Sequence, residues 1–529
     1  MDVLNLRKSI VTRYVLIAFF ALFLLFPILR MFAFLFVRGE WSFFTSRIFL
    51  RALRNSLVSS TVSSIVAVFF ALLSAYFLSR SSIKVKSVFT LLFSLPLLLP
   101  SMSLAFSLIM WFGTNGVVTR ILHLNRTIYG FKGVVFASII YAFPLAFMLL
   151  YDVLLYENTE PYESASVMGI SKFSQFTHLT LAYLKKPLIA VFFSVFATVL
   201  TDYGIPLMIG SKYQTLPLVM YNEVVGMLNF SRGSLIASVL LIPCVVSFLI
   251  DALSSTHTRG QSKTKRTFNS TPTFNTITYV ICVLISLVIF FTILPFVFVS
   301  FVKRYPYDLT LTFDNITKTL NLGGRRGLFN SLIIALLSSL SGVIVMFLSS
   351  YFTARMKSRS SYILHLFSII SVTVPGLVLG ISYSLAFGGL PLYRSVFFIV
   401  IINLVHFAST PYFLSYNSLS KLDLNLENVG YTLGIKRFNL VKDVIVPQEK
   451  NTLIAMFSYY FMCSMTTISA VSFVANSYNE QLSLMINKFQ SQFLLECAAS
   501  VSLLIFLVNI VMQIILGVFK RIDFSHKKA

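Results

Sequence analysis

The stretch Asn55–Arg80, NSLVSSTVSSIVAVFFALLSAYFLSR, returns later in the chain as Asn330–Arg355, NSLIIALLSSLSGVIVMFLSSYFTAR. Each copy opens on Asn-Ser-Leu, stays apolar or small for longer than the ~20 residues that cross about 30 Å of hydrocarbon, and closes on Tyr followed four residues later by Arg. At the same offset of 275, Pro100 answers to Pro375 and Phe112-Gly113 to Phe387-Gly388. Past a shorter loop the offset becomes 265 and pairs Tyr151 with Tyr416, Gly169 with Gly434, Tyr213 with Tyr478, Met220 with Met485 and Asn222 with Asn487. The second half is therefore a diverged copy of the first.

Working outward, apolar runs that could span a bilayer fall near 14–37, 52–79, 86–112, 133–156, 187–211, 234–253, 277–302, 328–354, 361–387, 394–419, 451–475 and 498–519. Six spans separate equivalent points. An even number gives both halves the same orientation, related by an axis along the membrane normal. The expected fold is an all-α polytopic membrane protein of about 12 transmembrane helices, built as two parallel six-helix repeats, residues 1–253 and 277–529. Between them, 254–276 is basic and rich in Ser and Thr, as a flexible linker would be.

Composition agrees with a lipid environment. Of 529 residues 57% are hydrophobic and only 11% charged, whereas a soluble chain carries about 25% charged residues. The net charge of +24 would suggest nucleic acid in a soluble protein. Here the basic residues sit in short gaps between apolar runs, facing anionic headgroups, and nucleic-acid binding is set aside. Placing both termini in the cytoplasm puts 25 of the 42 Lys and Arg in cytoplasmic loops and tails. Arg51, Arg54, Arg325 and Arg326 crowd the opposite face. Cys244, Cys282, Cys463 and Cys497 form no Cys-x-x-Cys pair, so neither a disulfide framework nor a metal site is expected. No resident cofactor is expected either. Gly323-Gly324-Arg325-Arg326-Gly327 lacks the Gly-Lys-Ser/Thr of a phosphate-binding loop.

The loops at 157–187 and 421–450 repeat a pattern. The first reads Tyr162-Glu163-Ser164-Ala165-Ser166-Val167-Met168-Gly169-Ile170, the second Glu427-Asn428-Val429-Gly430-Tyr431-Thr432-Leu433-Gly434-Ile435. Each predicts a short helix stopped by Gly, then an amphipathic segment entering the next span. These residues resemble the EAA loop of binding-protein-dependent ABC importer permeases: Glu-Ala-Ala, three residues, Gly and, further on, Leu-Pro. Glu163, Ser164 and Ala165 take the first three places and Gly169 the glycine. In the second copy Asn428, Val429 and Gly430 take those places, with Glu427 adjoining, and Gly434 the glycine. The Leu-Pro place holds Leu181-Ala182 in one copy and Val446-Pro447 in the other. The family's upstream signature matches Asn55-Ser56-Leu57 with Tyr76 and Arg80, and its repeat.

The resemblance implies a multi-pass permease of the bacterial inner membrane, whose two loops dock on a separate ATPase, itself a homodimer, that uses ATP. It implies also an extracytoplasmic solute-binding protein. Glu163 and the helix N-terminus would grip the ATPase, and the glycines would make a turn that no side chain follows. Thr201-Asp202-Tyr203-Gly204-Ile205-Pro206 places an acid in an apolar segment broken by Gly and Pro, so Asp202, Tyr203, Gly204 and Pro206 are candidates for the pathway. The alternative for Asp202 is a pair with a basic residue of an outer loop. Permeases with both halves in one chain resemble those for ferric iron, phosphonates and thiamine. Ferric iron is the expected cargo, with a phosphonate, thiamine or polyamine as alternatives. An ion-coupled secondary transporter would need several mid-span charges, and few are present.

Overall fold

The computed structural model describes residues 3–123, 127–254, 270–356, 358–423 and 425–525. Among these, nine helices are long and apolar enough to cross a membrane, and two bent helix pairs, Arg359–Thr373 with Gly376–Phe387 and Val396–His406 with Ser409–Leu419, bring the number to eleven. Lys450–Thr466, with 17 residues, falls short of these. The eleven match eleven of the twelve runs expected from the sequence, and Lys450–Thr466 lies on the remaining one, 451–475. The helix on the eleventh run, 451–475, is shorter than expected: it stops at Thr466, and Thr467–Phe473 continue as turns and one short 3-10 helix. Of the linker, 255–269 lie outside the described residues, and the next helix begins at Pro272, five residues ahead of 277.

The repeat extends into local geometry. Proline fixes its own φ and pushes the preceding residue into an extended conformation. Pro100 (φ −58°, ψ 147°) and Pro375 (φ −59°, ψ 147°) both end one helix and open the next, so the third span of each half is broken at one place. The bend there is 110° in the second half. Such a break frees backbone carbonyls in the apolar layer, where each must find a partner. Asn509 Nδ2, on the last span of the second half, donates to Leu98 O at 2.9 Å.

The second span, Arg47–Arg80, starts on Ser46, whose hydroxyl accepts from Phe49 N at 3.2 Å. Its buried face is a stripe of small residues, among them Ser56, Ser60, Ser63, Ala67, Ala71 and Ala75, which lets Phe131–Leu155 approach closely. Gly342 does the same in the second half: a Cβ there would lie 2.5 Å from the Tyr460 ring. Several serines on these faces satisfy themselves within the helix, as Ser59 Oγ does on Asn55 O at 2.7 Å.

Each half lends its first span to the other. Phe26–Arg38 packs on Gly376–Phe387, and Pro272–Ser300 packs on Ser101–Phe112. The second of these contacts is fixed by Trp111, stacked on Phe291 at 4.3 Å, with its indole N–H donating to Phe291 O at 2.6 Å. The halves are thus interlocked. One small antiparallel pair of strands, Val302–Arg304 with Asp308–Leu311, caps the loop after the seventh span. It departs from the all-helical expectation in a loop too polar to have been counted as a span.

Candidate functional site

Two regions combine the residues singled out in the sequence. The first is a pair of short helices, Glu160–Val167 and Asn425–Thr432, offset by the 265 residues of the repeat. Both end in the same hydrogen-bonded cap. Ile170 N donates to Ala165 O at 3.0 Å and Gly169 N to Ser166 O at 3.1 Å; Ile435 N donates to Gly430 O at 2.9 Å and Gly434 N to Tyr431 O at 3.1 Å. This Schellman-type closure needs a left-handed residue after the helix. Gly169 (φ +73°) and Gly434 (φ +69°) supply it. The chain then turns into Lys172–Gln175 and Arg437–Leu440, each followed by a π-helical turn, Phe176–Thr180 and Val441–Ile445.

Glu163 and Ser164 are exposed on the first short helix, and Asn428 and Val429 hold the equivalent exposed places on the second. Ala165 and Gly430 are buried beneath them. A Cβ on Gly430 would meet Leu440 at 3.2 Å, so this place admits only a small residue. Pro447 is exposed in the short helix Val446–Gln448, ahead of a break at Glu449; the first half, with Ala182 there, runs on as one helix, Leu181–Leu200. Around the glycines, apolar side chains stand in the open: Val167 is 89% exposed, Phe173 78% and Phe438 75%, with Met168, Tyr431 and Leu433 beside them. Apolar surface gathered in this way marks an interface.

Behind the short helices lies an arginine in each half. Arg80 ends the second span and pairs with Glu157 (Nη2 to Oε2, 2.8 Å), both side chains buried. Tyr162 donates its hydroxyl to Glu157 and lies 3.1 Å from Thr180 Oγ1. The guanidinium sits 4.1 Å from the Tyr162 ring centre. Burial pushes the Glu157 carboxyl above the usual carboxylate range, and Arg80 and the Tyr162 hydroxyl pull it back. In the second half Arg355 grips Glu427, with Nε to Oε1 at 2.7 Å and a second contact from Nη2 to Oε2, and also donates to Leu422 O and Asp423 O, both at 2.7 Å. The sequence points to the arginines and Glu427 and names Tyr162 at the head of its loop without a role, but leaves Glu157 out. The one available signal was that Arg80, repeated as Arg355, ends an apolar span and must find an acid.

The second region lies between the halves. Asp202 accepts from Ser101 Oγ at 2.6 Å and from Ile205 N at 2.9 Å. A hydroxyl and a backbone amide thus hold Asp202, in place of a basic residue of an outer loop. Tyr203 is buried, stacks on Tyr221 at 4.7 Å, and places its hydroxyl 2.5 Å from Ser472 Oγ and 3.4 Å from Ile468 O in the other half. Gly204 and Pro206 are buried in the short helix Gly204–Ile209 that follows. A Cβ on Gly204 would lie 2.5 Å from both Ser101 Oγ and Ile468 Cδ1. Ser101, Ile468 and Ser472 thus join the four expected residues. Ile468 is the repeat counterpart of Tyr203.

The family model described as binding-protein-dependent transport system inner membrane component matches the chain twice, over residues 67–260 and 346–521. The ferric transport system permease protein of Actinobacillus pleuropneumoniae is 24% identical over 493 residues, which cover 88% of this chain and 71% of that protein. A Haemophilus influenzae protein provisionally named a ferric transport system permease is 24% identical over 490 residues, covering 88% and 77%. The molybdenum transport system permease protein of Azotobacter vinelandii is 24% identical over 208 residues, covering 38% of this chain and 92% of its own.

Proposed function

Because this chain belongs to the binding-protein-dependent transport system inner membrane components, we propose that its two halves together form the whole translocation pathway of an ABC importer, with ferric iron as cargo. The observation that carries the transport reading is the duplicated pair of capped short helices with apolar residues in the open. It supports docking of a cytoplasmic ATPase dimer, one subunit per helix, which hydrolyses ATP on the chain's behalf. On this reading the short helices and both termini face the cytoplasm, and a solute-binding protein delivers cargo to the opposite face. Tyr203 and Gly204 against Ile468 and Ser472 close the pathway between the halves.

The iron assignment is supported by relatives aligned over 88% of the chain. A second cargo class, an oxyanion, is favoured by shorter alignments to the molybdenum permease and to the sulfate transport system permease protein of Synechococcus elongatus, 24% identical over 39% of this chain. The test is reconstitution in proteoliposomes with the ATPase that co-purifies and the binding protein it responds to. Uptake of labelled ferric iron that requires ATP supports the proposal. Uptake of molybdate or sulfate instead moves the cargo and keeps the permease, and uptake driven by an ion gradient without ATP sinks both.

A further inference from the structure

The two arginine joints are built from different parts. Glu427 sits on its short helix at the place Tyr162 holds in the first half; Glu157 sits in the turn before its helix, at the place of Leu422. The acid has therefore moved by five residues between copies, yet in both it reaches the arginine that ends the second span. In the first half Arg80 also lies over the Tyr76 ring at 4.7 Å as well as over Tyr162, and the Tyr162 hydroxyl joins Thr180 to the same cluster. One guanidinium thus connects the foot of a span, the turn, the short helix and the return segment. In the second half Arg355 reaches Leu419 O at 3.3 Å along with Leu422 O and Asp423 O, the carbonyls freed where Ser409–Leu419 ends.

A buried ion pair is no cheap way to gain stability, since apolar packing of similar volume usually does as well. What such a pair supplies is a fixed direction: in the second half a planar fork on both carboxylate oxygens of Glu427, in the first a single Nη2–Oε2 contact with the guanidinium laid over the Tyr162 ring. We propose that Arg80 and Arg355 are positioning residues that tie each short helix to the second span of its own half, and that the joint is made through the preceding turn in the first half and through the helix itself in the second. Movement of a short helix is then carried into Arg47–Arg80 or Arg325–Arg355 without slack. The first-half joint is made by one carboxylate contact and the Tyr162 ring, the second by two carboxylate contacts and three backbone carbonyls. The joint stands on geometry alone; its role in coupling rests on the proposed docking of an ATPase.

The experiment is amide hydrogen exchange on the full chain in nanodiscs, followed by transport and hydrolysis with the co-purified ATPase. Arg80→Met is expected to speed exchange in 160–167 about tenfold and leave 425–432 unchanged, and Arg355→Met to do the reverse. Glu157→Leu loosens the first helix, and adding Tyr162→Glu, which recreates the second-half arrangement around Arg80, restores its protection. In the complex, loosened variants hydrolyse ATP with less transport per ATP, and the Glu157→Leu/Tyr162→Glu variant recovers the ratio. Unchanged exchange in both Met variants, or no recovery in the double variant, overturns the joint. Should a Met variant fail to fold, Arg80→Lys and Arg355→Lys keep the charge and lose the planar guanidinium, and unchanged exchange in both overturns it equally. Absence of any co-purifying ATPase, with the exchange changes as expected, counts against the docking proposal alone.

Discussion

Gly204 lies so close to Ser101 that a Cβ on the glycine would sit 2.5 Å from the serine Oγ, and the second half repeats the contact with the residue types exchanged: a Cβ on Gly376 would sit 2.3 Å from Ser469 Oγ. Position 101 answers to 376 and 204 to 469 under the two repeat offsets. Each half therefore needs one glycine and one small hydroxyl residue at this crossing, and either may occupy either side. Gly204→Ser alone should overpack the crossing and lower stability by about 1–3 kcal/mol. Combined with Ser101→Gly, it reproduces the second-half arrangement and should recover part of that loss. Thermal unfolding in detergent reads both, and an unchanged melting temperature in the single variant would contradict the contact.

Gly169 and Gly434 present the opposite case. A Cβ on either meets nothing within 4 Å, so any penalty comes from the left-handed backbone and not from crowding. Asn tolerates that conformation and Val does not. Replacing both glycines by Val should abolish ATP-dependent uptake while the chain still inserts, and replacing both by Asn should keep most of it. Uptake assays on membranes with matched amounts of chain decide this. Full activity of the Val double variant would mean that the caps do not shape the docking surface.

The repeat explains how much could be read in advance. Pro100, Pro375, Gly169 and Gly434 act locally, through φ and ψ, and a local constraint leaves its mark on the sequence at the residue where it acts. Glu157 and the role of Tyr162 are not legible locally because their meaning depends on Arg80, two spans away. Glu427 was noticed as a neighbour of the motif, but its grip on Arg355 depends on how the helix is turned. The end of the eleventh span was misplaced because Thr467–Phe473 is as apolar as a helix that crosses, and composition does not distinguish a crossing from a buried turn. Ile468 and Ser472 have no motif at all; they matter only because Tyr203 reaches them from the other half.

Phe173 and Phe438 occupy equivalent places and are 78% and 75% exposed. Substitution of an exposed side chain usually shifts stability by no more than about 0.5 kcal/mol, so Phe173→Asp and Phe438→Asp should leave the isolated chain intact. Both should weaken capture of the ATPase, the double variant most. Affinity purification with quantified ATPase measures this. Equal recovery from all variants would place the docking surface elsewhere.

The hydroxyl of Tyr203 bridges the halves through Ser472 and Ile468. Tyr203→Phe keeps the ring stacked on Tyr221 and removes the bridge, a loss of about 1 kcal/mol for one hydrogen bond. If this contact helps hold the pathway shut, the variant should raise ATP hydrolysis in the absence of binding protein, and Ser472→Ala should do the same. The two together should add little, since both remove one bond. Additive effects would show that the residues act separately.

Asn509 offers the sharpest test of how the halves are interlocked. Its Nδ2 donates to Leu98 O, on the helix end that Pro100 interrupts, so a side chain of the last span completes the backbone of the third. Asn509→Leu keeps the volume and leaves that carbonyl without this donor in an apolar setting. A cost of about 1–2 kcal/mol is expected, the upper range for hydrogen bonds between membrane helices. Pro100→Ala should not rescue it: the proline sets the local backbone at the break, but Ser101–Phe112 stays packed against Pro272–Ser300 and keeps its direction without it. A double-mutant cycle by thermal unfolding measures the coupling. If Pro100→Ala restores stability to Asn509→Leu, the proline alone makes the break, and Asn509 serves only to repair it.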